Sequence, residues 1–314
     1  MPKVSVLMSV YNTEENFLRE AIKSILNQTY KDFEFLIIND GSTKNNTEQV
    51  ILSFKDDRIR YIPNERNMGI IASCNKGFDL ANGEYIARFD SDDIALPQRL
   101  EKEVEFLDKN PDYGLVGSYF ETFPKKRIVK GFTDYKKVRE ALLVNSNQFG
   151  QSTVMIRTSV LNSNNIRYNK DALHVEDYNM WMDISEVSKT KNLDEVLVLY
   201  RRHGDSICSK NVISQNLNVQ KIMFEAQSKH FGIKVDEQLE IIEKLKQNKK
   251  ICSADLEKIL NFRKQVKEKM QQEHFSVEYK LDRIFGKYAL RKCKKDLKFI
   301  SMYFKGELKP FYKR

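Results

Sequence analysis

Apolar runs of strand length alternate with amphipathic helical runs through the first third of the chain, and this alternation most narrows what it can fold into. VSVLMSV, from Val4 to Val10, is continuous and apolar. TEENFLREAIKSILNQ follows, with Phe17, Leu18, Ala21, Ile22, Ile25 and Leu26 recurring at helical spacing. The pattern then repeats: FEFLIIN, IRYIP and EYIARFD read as strands, and EQVILSFK, IIASCNKGFDLA and PQRLEKEVEFLDKN as helices. Such alternation predicts an α/β fold, a sandwich whose mainly parallel central sheet is covered on both faces. In open sheets of this kind ligands bind beyond the carboxyl ends of the strands.

The strand ends are therefore where chemistry is expected. They carry Tyr11 and Asn12, then Asp40 to Ser42, then NERNMG (Asn64 to Gly69), then DSDD (Asp90 to Asp93). Aromatic, amide, acidic and basic groups follow strands that are themselves apolar, which suits a polar ligand with several chemical parts. Asp90 and Asp92 flank a serine just after a strand, so both carboxylates can turn to one point. A hard divalent cation is held by one or two carboxylates, with substrate phosphate and water completing its shell. The same spacing also suits a solvated acidic turn before the helix that starts near Pro97. A calcium loop is excluded, because Ile94 and Ala95 occupy positions that need a ligand and a glycine.

After Pro111 the rhythm loosens. YGLVGSYFETF and QSTVMIRTSVL read as further strands, partly antiparallel, HVEDYNMWMDISEVSK as a helix with an acidic start, and EVLVLYRRHGDSI as strand into loop. From about Asn211 the sequence is helical and rich in Lys and Glu. The expected organisation is a catalytic domain over 1–210 and a helical extension over 211–314. No apolar run nears the roughly 20 residues of a membrane span, and no signal-peptide profile opens the chain, so a cytoplasmic location is expected. Four widely spaced cysteines, Cys74, Cys208, Cys252 and Cys293, match no zinc pattern and read as reduced thiols.

The segments VSVLMSVYNTEENFLREAIKSILNQTY, EFLIINDGSTKNNT, NERNMGIIASCNKGFDLANGEYIARFDSDD and VEDYNMWMDIS, in this order, resemble the family 2 glycosyltransferases, bacterial inverting enzymes of the GT-A fold that use nucleotide-sugars. The resemblance spans about Val4 to Ser206. It implies a UDP-sugar donor, with Tyr11 stacking on uracil, Asp40 hydrogen-bonding the base, Arg66 near base or phosphate, and Asp90 on the ribose side. It implies Mn²⁺ or Mg²⁺ at Asp92, neutralising the leaving diphosphate. Asp177 of the ED pair would be the base that deprotonates the acceptor hydroxyl, with Glu176 on the acceptor side. Taken alone, Glu176 and Asp177 would only favour a helix N-terminus. Trp181, one turn on, is either an acceptor platform or a core residue. YRRHGDS resembles the family's late loop. There His203 would complete the metal shell or remain an exposed loop histidine, while Ser206 and one arginine, Arg201 in preference to Arg202, would approach the diphosphate.

The net charge is +9, and residues 281–314 alone carry 11 Lys or Arg against 3 Asp or Glu. Within them Leu290, Cys293, Leu297, Ile300 and Phe304 recur at helical spacing as one apolar stripe beside Arg291, Lys294, Lys298 and Lys305. This composition predicts an interfacial segment over 284–314 that meets an anionic membrane surface, giving a peripheral enzyme at the inner face of the cytoplasmic membrane. The resemblance adds a glycan or lipid-linked acceptor, in bacterial surface polysaccharide or lipooligosaccharide assembly. A nucleotidyltransferase would need a basic triphosphate loop where SVYNTEEN is acidic. A nucleic-acid-binding protein would spread its positive charge over a face instead of confining it to a tail, so no nucleic acid is expected.

Overall fold

The computed structural model describes residues 1–44, 46–144, 147–203, 212–278 and 283–308. Cys208, Ser206, the 210/211 boundary and the last six residues lie outside them. The chain divides into two units. One comprises Met1–Arg139, Gln148–Asp171 and Glu176–Gly204, the other Glu140–Asn147, Ala172–Val175 and Asp205–Arg314. Two short segments from within the first 210 residues thus belong to the second unit.

The first unit is built on a curled mixed sheet. Its leading strands are β1 (Val4–Val10), β2 (Phe33–Asn39), β3 (Ile59–Pro63) and β4 (Tyr85–Asp90), in the spatial order β3-β2-β1-β4 and all parallel. Every residue of β1 and β2 is buried, as expected of strands covered on both faces. The helices α1 (Glu15–Leu26), α2 (Thr47–Leu52), α3 (Ile70–Leu80) and α4 (Arg99–Lys109) follow the helical periodicity of the sequence. Leu18, Ala21, Ile22 and Ile25 of α1 pack against Val4, Val6 and Phe35 in one apolar core. Cys74, on α3, is fully buried.

The second half of the sheet departs from the expected strands. A two-residue β5 (Ile94–Ala95) follows the acidic turn, and β6 (Tyr113–Phe123) carries a short β7 (Arg127–Val129) on its edge. QSTVMIRTSVL, expected as one strand, is a 3₁₀ turn (Gln151–Thr153), then β8 (Met155–Arg157), then a helix. The reason is pairing: β8 is wedged antiparallel between β4 and β6, and only Met155 and Ile156 reach both neighbours. Helices α5 (Tyr135–Val144), α6 (Thr158–Ser163) and α7 (Glu176–Val187) precede β9 (Lys189–Arg201), which runs parallel to β6 and pairs antiparallel with β5.

The second unit has its own apolar core. Helices Val212–Phe231, Asp236–Lys246, Ser253–Gln272, Arg283–Lys292 and Leu297–Phe304 contribute Phe224, Ile242, Phe262, Phe285 and Met302 to it in turn. The continuous apolar stripe expected from Leu290 to Phe304 is broken. Ile251 N–H donates to the Lys292 carbonyl and Lys294 N–H to the Ile251 carbonyl, so this backbone pairs sideways where a helix would pair with itself. Leu290 and Cys293 consequently pack on the core. No helix among the described residues is long and apolar enough to cross a membrane.

Candidate active site

Because β3, β2, β1 and β4 are parallel neighbours, their carboxyl ends lie along one edge. Ser9 is level with Asp90, Val10 with Asn39, and Asn39 with Pro63. Tyr11, just beyond β1, is 50% exposed. Asn12, at φ 52°, uses its side-chain oxygen to accept the N–H groups of Thr43 and Lys44, both at 2.9 Å, which ties the first strand end to the second.

Asp40 takes a different role from the expected base contact. It is only 2% exposed. Oδ1 accepts Asn64 Nδ2 at 2.9 Å and the Met68 N–H at 2.8 Å, while Oδ2 accepts Asn67 Nδ2 at 3.1 Å and the Gly69 N–H at 3.0 Å. These four donors fill the acceptor positions of a carboxylate. Asp40 therefore staples the 64–69 loop, and Arg66 stands exposed on it. The loop also explains Gly41: at φ +66° a Cβ there would meet the Arg66 carbonyl carbon at 2.4 Å.

The acidic turn is held on every side. Arg88, fully buried, donates to the Leu7 and Phe89 carbonyls and, through Nη2 at 2.9 Å, to Asp90 Oδ1. Asp93 is also fully buried. It accepts Ser152 Oγ at 2.5 Å and the Arg201 N–H at 2.9 Å, so it supports the turn. Burial, together with the charges of Asp92 and Asp90, pushes its carboxyl well above the usual range. Asp92 remains partly open, with Oδ2 at 2.8 Å from His203 Nε2. Burial and then the Asp90 charge raise Asp92, with His203 opposing.

Asp92 and His203 are the residues that could hold a metal. One carboxylate and one imidazole, side by side and each about a quarter exposed, fit Mg²⁺ or Mn²⁺ when substrate phosphate and water fill the other positions. The described residues contain no cluster of three or more ligands that would hold an ion without substrate.

Arg201 is not free to meet a diphosphate, contrary to expectation. Its Nε donates to the Asp92 carbonyl at 2.7 Å, Nη2 pairs with Glu20, and the guanidinium lies 4.1 Å and 4.4 Å from the ring centres of Phe17 and Phe123. Arg202 is the exposed one of the pair. Trp181 is likewise no platform. It is fully buried edge-on against Phe149, because its face of α7 turns inward with Tyr178 and Met180.

Asp177, in the first turn of α7, is half-buried, and Glu176 is buried beside it. Two buried side chains feel both Arg88 and the carboxylates at the start of α7. Burial pushes the Cys74 thiol up to about 12, Arg88 opposes, and Asp90, Glu176 and Asp40 add to the rise. Buried Tyr168, raised first by its burial, feels Arg88, Asp177 and Glu176. Sequence reading singled out the 64–69 loop but not Asn64 within it, and it missed Arg88, whose signal was a charge inside an apolar strand.

The sequence pattern of "Glycosyl transferase family 2" matches residues 5–181, which takes in the carboxyl ends of β1 to β4 and the ED pair but stops short of Arg201 and His203. The chain belongs to the family 2 glycosyltransferases. Among curated family members, an uncharacterised glycosyltransferase of Haemophilus influenzae is 36% identical over 239 residues, covering 71% of this chain and 73% of that one. The Escherichia coli protein named UDP-Glc:alpha-D-GlcNAc-diphosphoundecaprenol beta-1,3-glucosyltransferase WfgD is 32% identical over 213 residues, covering 68% and 78%. The fold matches Staphylococcus aureus TarS 1–349 in complex with UDP-GlcNAc at a TM-score of 0.60 and 18% identity, over 84% of this chain and 81% of that one. It also matches the mannosyltransferase PcManGT of Pyrobaculum calidifontis, solved with GDP-Man and Mn²⁺, at 0.52 and 15%, over 74% and 65%. This glycosyltransferase therefore has the GT-A fold, with helices at its C-terminus.

Proposed function

We propose that this glycosyltransferase moves a sugar, with inversion, from a UDP-sugar to a hydroxyl of a lipid-linked glycan in the assembly of a bacterial surface polysaccharide or lipooligosaccharide. The observation that carries the reading is an exposed aromatic just past one strand and a half-open carboxylate–imidazole pair at the turn after its parallel neighbour. The printed names of relatives support the substrates: the E. coli protein is named for a UDP-Glc donor and a diphosphoundecaprenol-linked acceptor, and the TarS structure holds UDP-GlcNAc.

In this reading Tyr11 stacks on uracil. Asp40 acts through the 64–69 loop that it holds, and a direct bond to the base requires one of the loop donors to give way. Arg66 is free to approach base or phosphate, and Asp90, fixed by Arg88, faces the ribose. Asp177 accepts the proton of the acceptor hydroxyl as its oxygen bonds to the anomeric carbon. The bond from that carbon to the diphosphate breaks, and UDP leaves with the electron pair. Mn²⁺ or Mg²⁺ at Asp92 and His203 would neutralise charge on the leaving diphosphate. Glu176 shapes the acceptor side from beneath the surface.

The test is calorimetric titration of UDP into the protein with and without Mn²⁺, repeated with Asp92→Ala. Binding strengthened by Mn²⁺ in the wild type but not in D92A is the expected result. Equal binding in all four conditions would remove the metal from the reading, and no binding at all would remove UDP.

A further inference from the structure

The helix Leu297–Phe304 has two apolar faces. Phe299 and Met302 pack into the core of the second unit, whereas Leu297, Ile300 and Phe304 are 87%, 46% and 83% exposed. Apart from Met1, Leu297 and Phe304 are the most exposed large apolar side chains among the described residues. Spacings of three and four place the three on one stripe. The helix that presents them is anchored at its start. Asp296 Oδ1 accepts the Phe299 N–H at 2.8 Å, and Asp296 Oδ2 accepts Ser253 Oγ at 2.7 Å.

The surroundings of the stripe are predominantly basic, with five lysines between 292 and 307 against Asp296 and Glu307. Lys294, Lys295 and Lys305 are exposed, and Lys298 is paired with Glu257. Three candidate occupants can be weighed by chemistry. A second copy of the chain would bring two lysine rims together, which like-charge repulsion opposes. A polynucleotide would satisfy the lysines but leave the apolar stripe in water. An anionic bilayer satisfies both, taking the apolar side chains below its headgroups and the ammonium groups at its phosphates.

We propose that the Leu297–Ile300–Phe304 stripe is a docking face for anionic lipid, with Lys294, Lys295 and Lys305 as its headgroup contacts. The face is narrower than the whole basic tail, since Leu290 and Cys293 are committed to the core. It is independent of the donor and metal assignments.

The experiment is flotation of the full chain with vesicles of phosphatidylcholine, with and without about one-third phosphatidylglycerol, at low and high salt. Wild type is expected to float only with the anionic vesicles and to be released by salt. Leu297→Ser with Phe304→Ser should lower partitioning by about tenfold or more. Replacing Lys294, Lys295 and Lys305 by Gln should lower it by roughly a hundredfold, at about fivefold per lysine. Melting temperatures should stay unchanged, because all five positions are exposed, so lost binding is not misfolding. Three results would overturn the proposal: no flotation of wild type, L297S/F304S partitioning like wild type, or a dimer in light scattering that L297S/F304S dissociates.

Discussion

A guanidinium held between two phenyl rings has little freedom to follow a substrate, and Arg201 is held that way while bonded to Asp92 and Glu20. Its contribution is to keep the late loop, and with it His203, against the acidic turn. Arg201→Met should therefore destabilise the protein by about 1–3 kcal/mol, the usual result of orphaning partners of a charged donor. It should also blunt the Mn²⁺-dependent part of UDP binding while sparing the metal-free part. Arg202→Met, on an exposed side chain, should leave stability unchanged, and paired thermal melts and titrations check both variants. Asp177 differs in kind, because its proposed role is felt only during reaction. Asp177→Asn should keep UDP affinity while transfer to acceptor falls by about 10²- to 10⁴-fold, measured as UDP release. These assignments were unevenly readable from sequence. A carboxylate at a strand end marks Asp40 as a site residue, but only the fold shows that Asn64, Asn67 and two backbone N–H groups already occupy it.

Among the strands, those buried on both faces announced themselves, since β1, β2 and β4 are predominantly apolar runs of strand length. The elements that complete the site did not. A two-residue β5 has no period to detect, and Ser152 reaches Asp93 across 59 residues of sequence without a local signature. At the opposite end of the parallel strands, Glu34 on β2 accepts Ser5 Oγ at 2.5 Å and the Asn82 N–H at 2.8 Å, and it pairs with Arg60. Burial opposes its ionisation, but those hydrogen bonds outweigh burial and hold Glu34 below the usual carboxylate range. A depressed carboxylate contributes stability that is present above its unfolded pKa and lost as pH falls through the folded one. Glu34→Gln should thus cost about 1–3 kcal/mol at neutral pH and flatten the loss of stability on the acid side of pH 5. Denaturant melts at a series of pH values measure both effects.

At the scale of the whole molecule, two of the apolar cores among the described residues share no residue. Phe262, edge-on to Phe224 at 5.1 Å in the second, is a test of their independence. Phe262→Ala should cost that unit about 3–5 kcal/mol. By hydrogen exchange, amides in Val212–Phe231 and Ser253–Gln272 should lose protection, while β1 to β4 keep theirs and UDP still raises the melting temperature of the first unit. The bolting of the acidic turn also bears on how the enzyme comes into being. Asp93 draws one of its two partners from 108 residues further along the chain. Loop closure over such a distance delays contact formation, so during synthesis the turn stays unbolted until residue 201 has left the ribosome. A growing or truncated chain that already contains every aspartate of the turn would still lack the shaped turn, so the metal-dependent part of donor binding should become available only once β9 is in place.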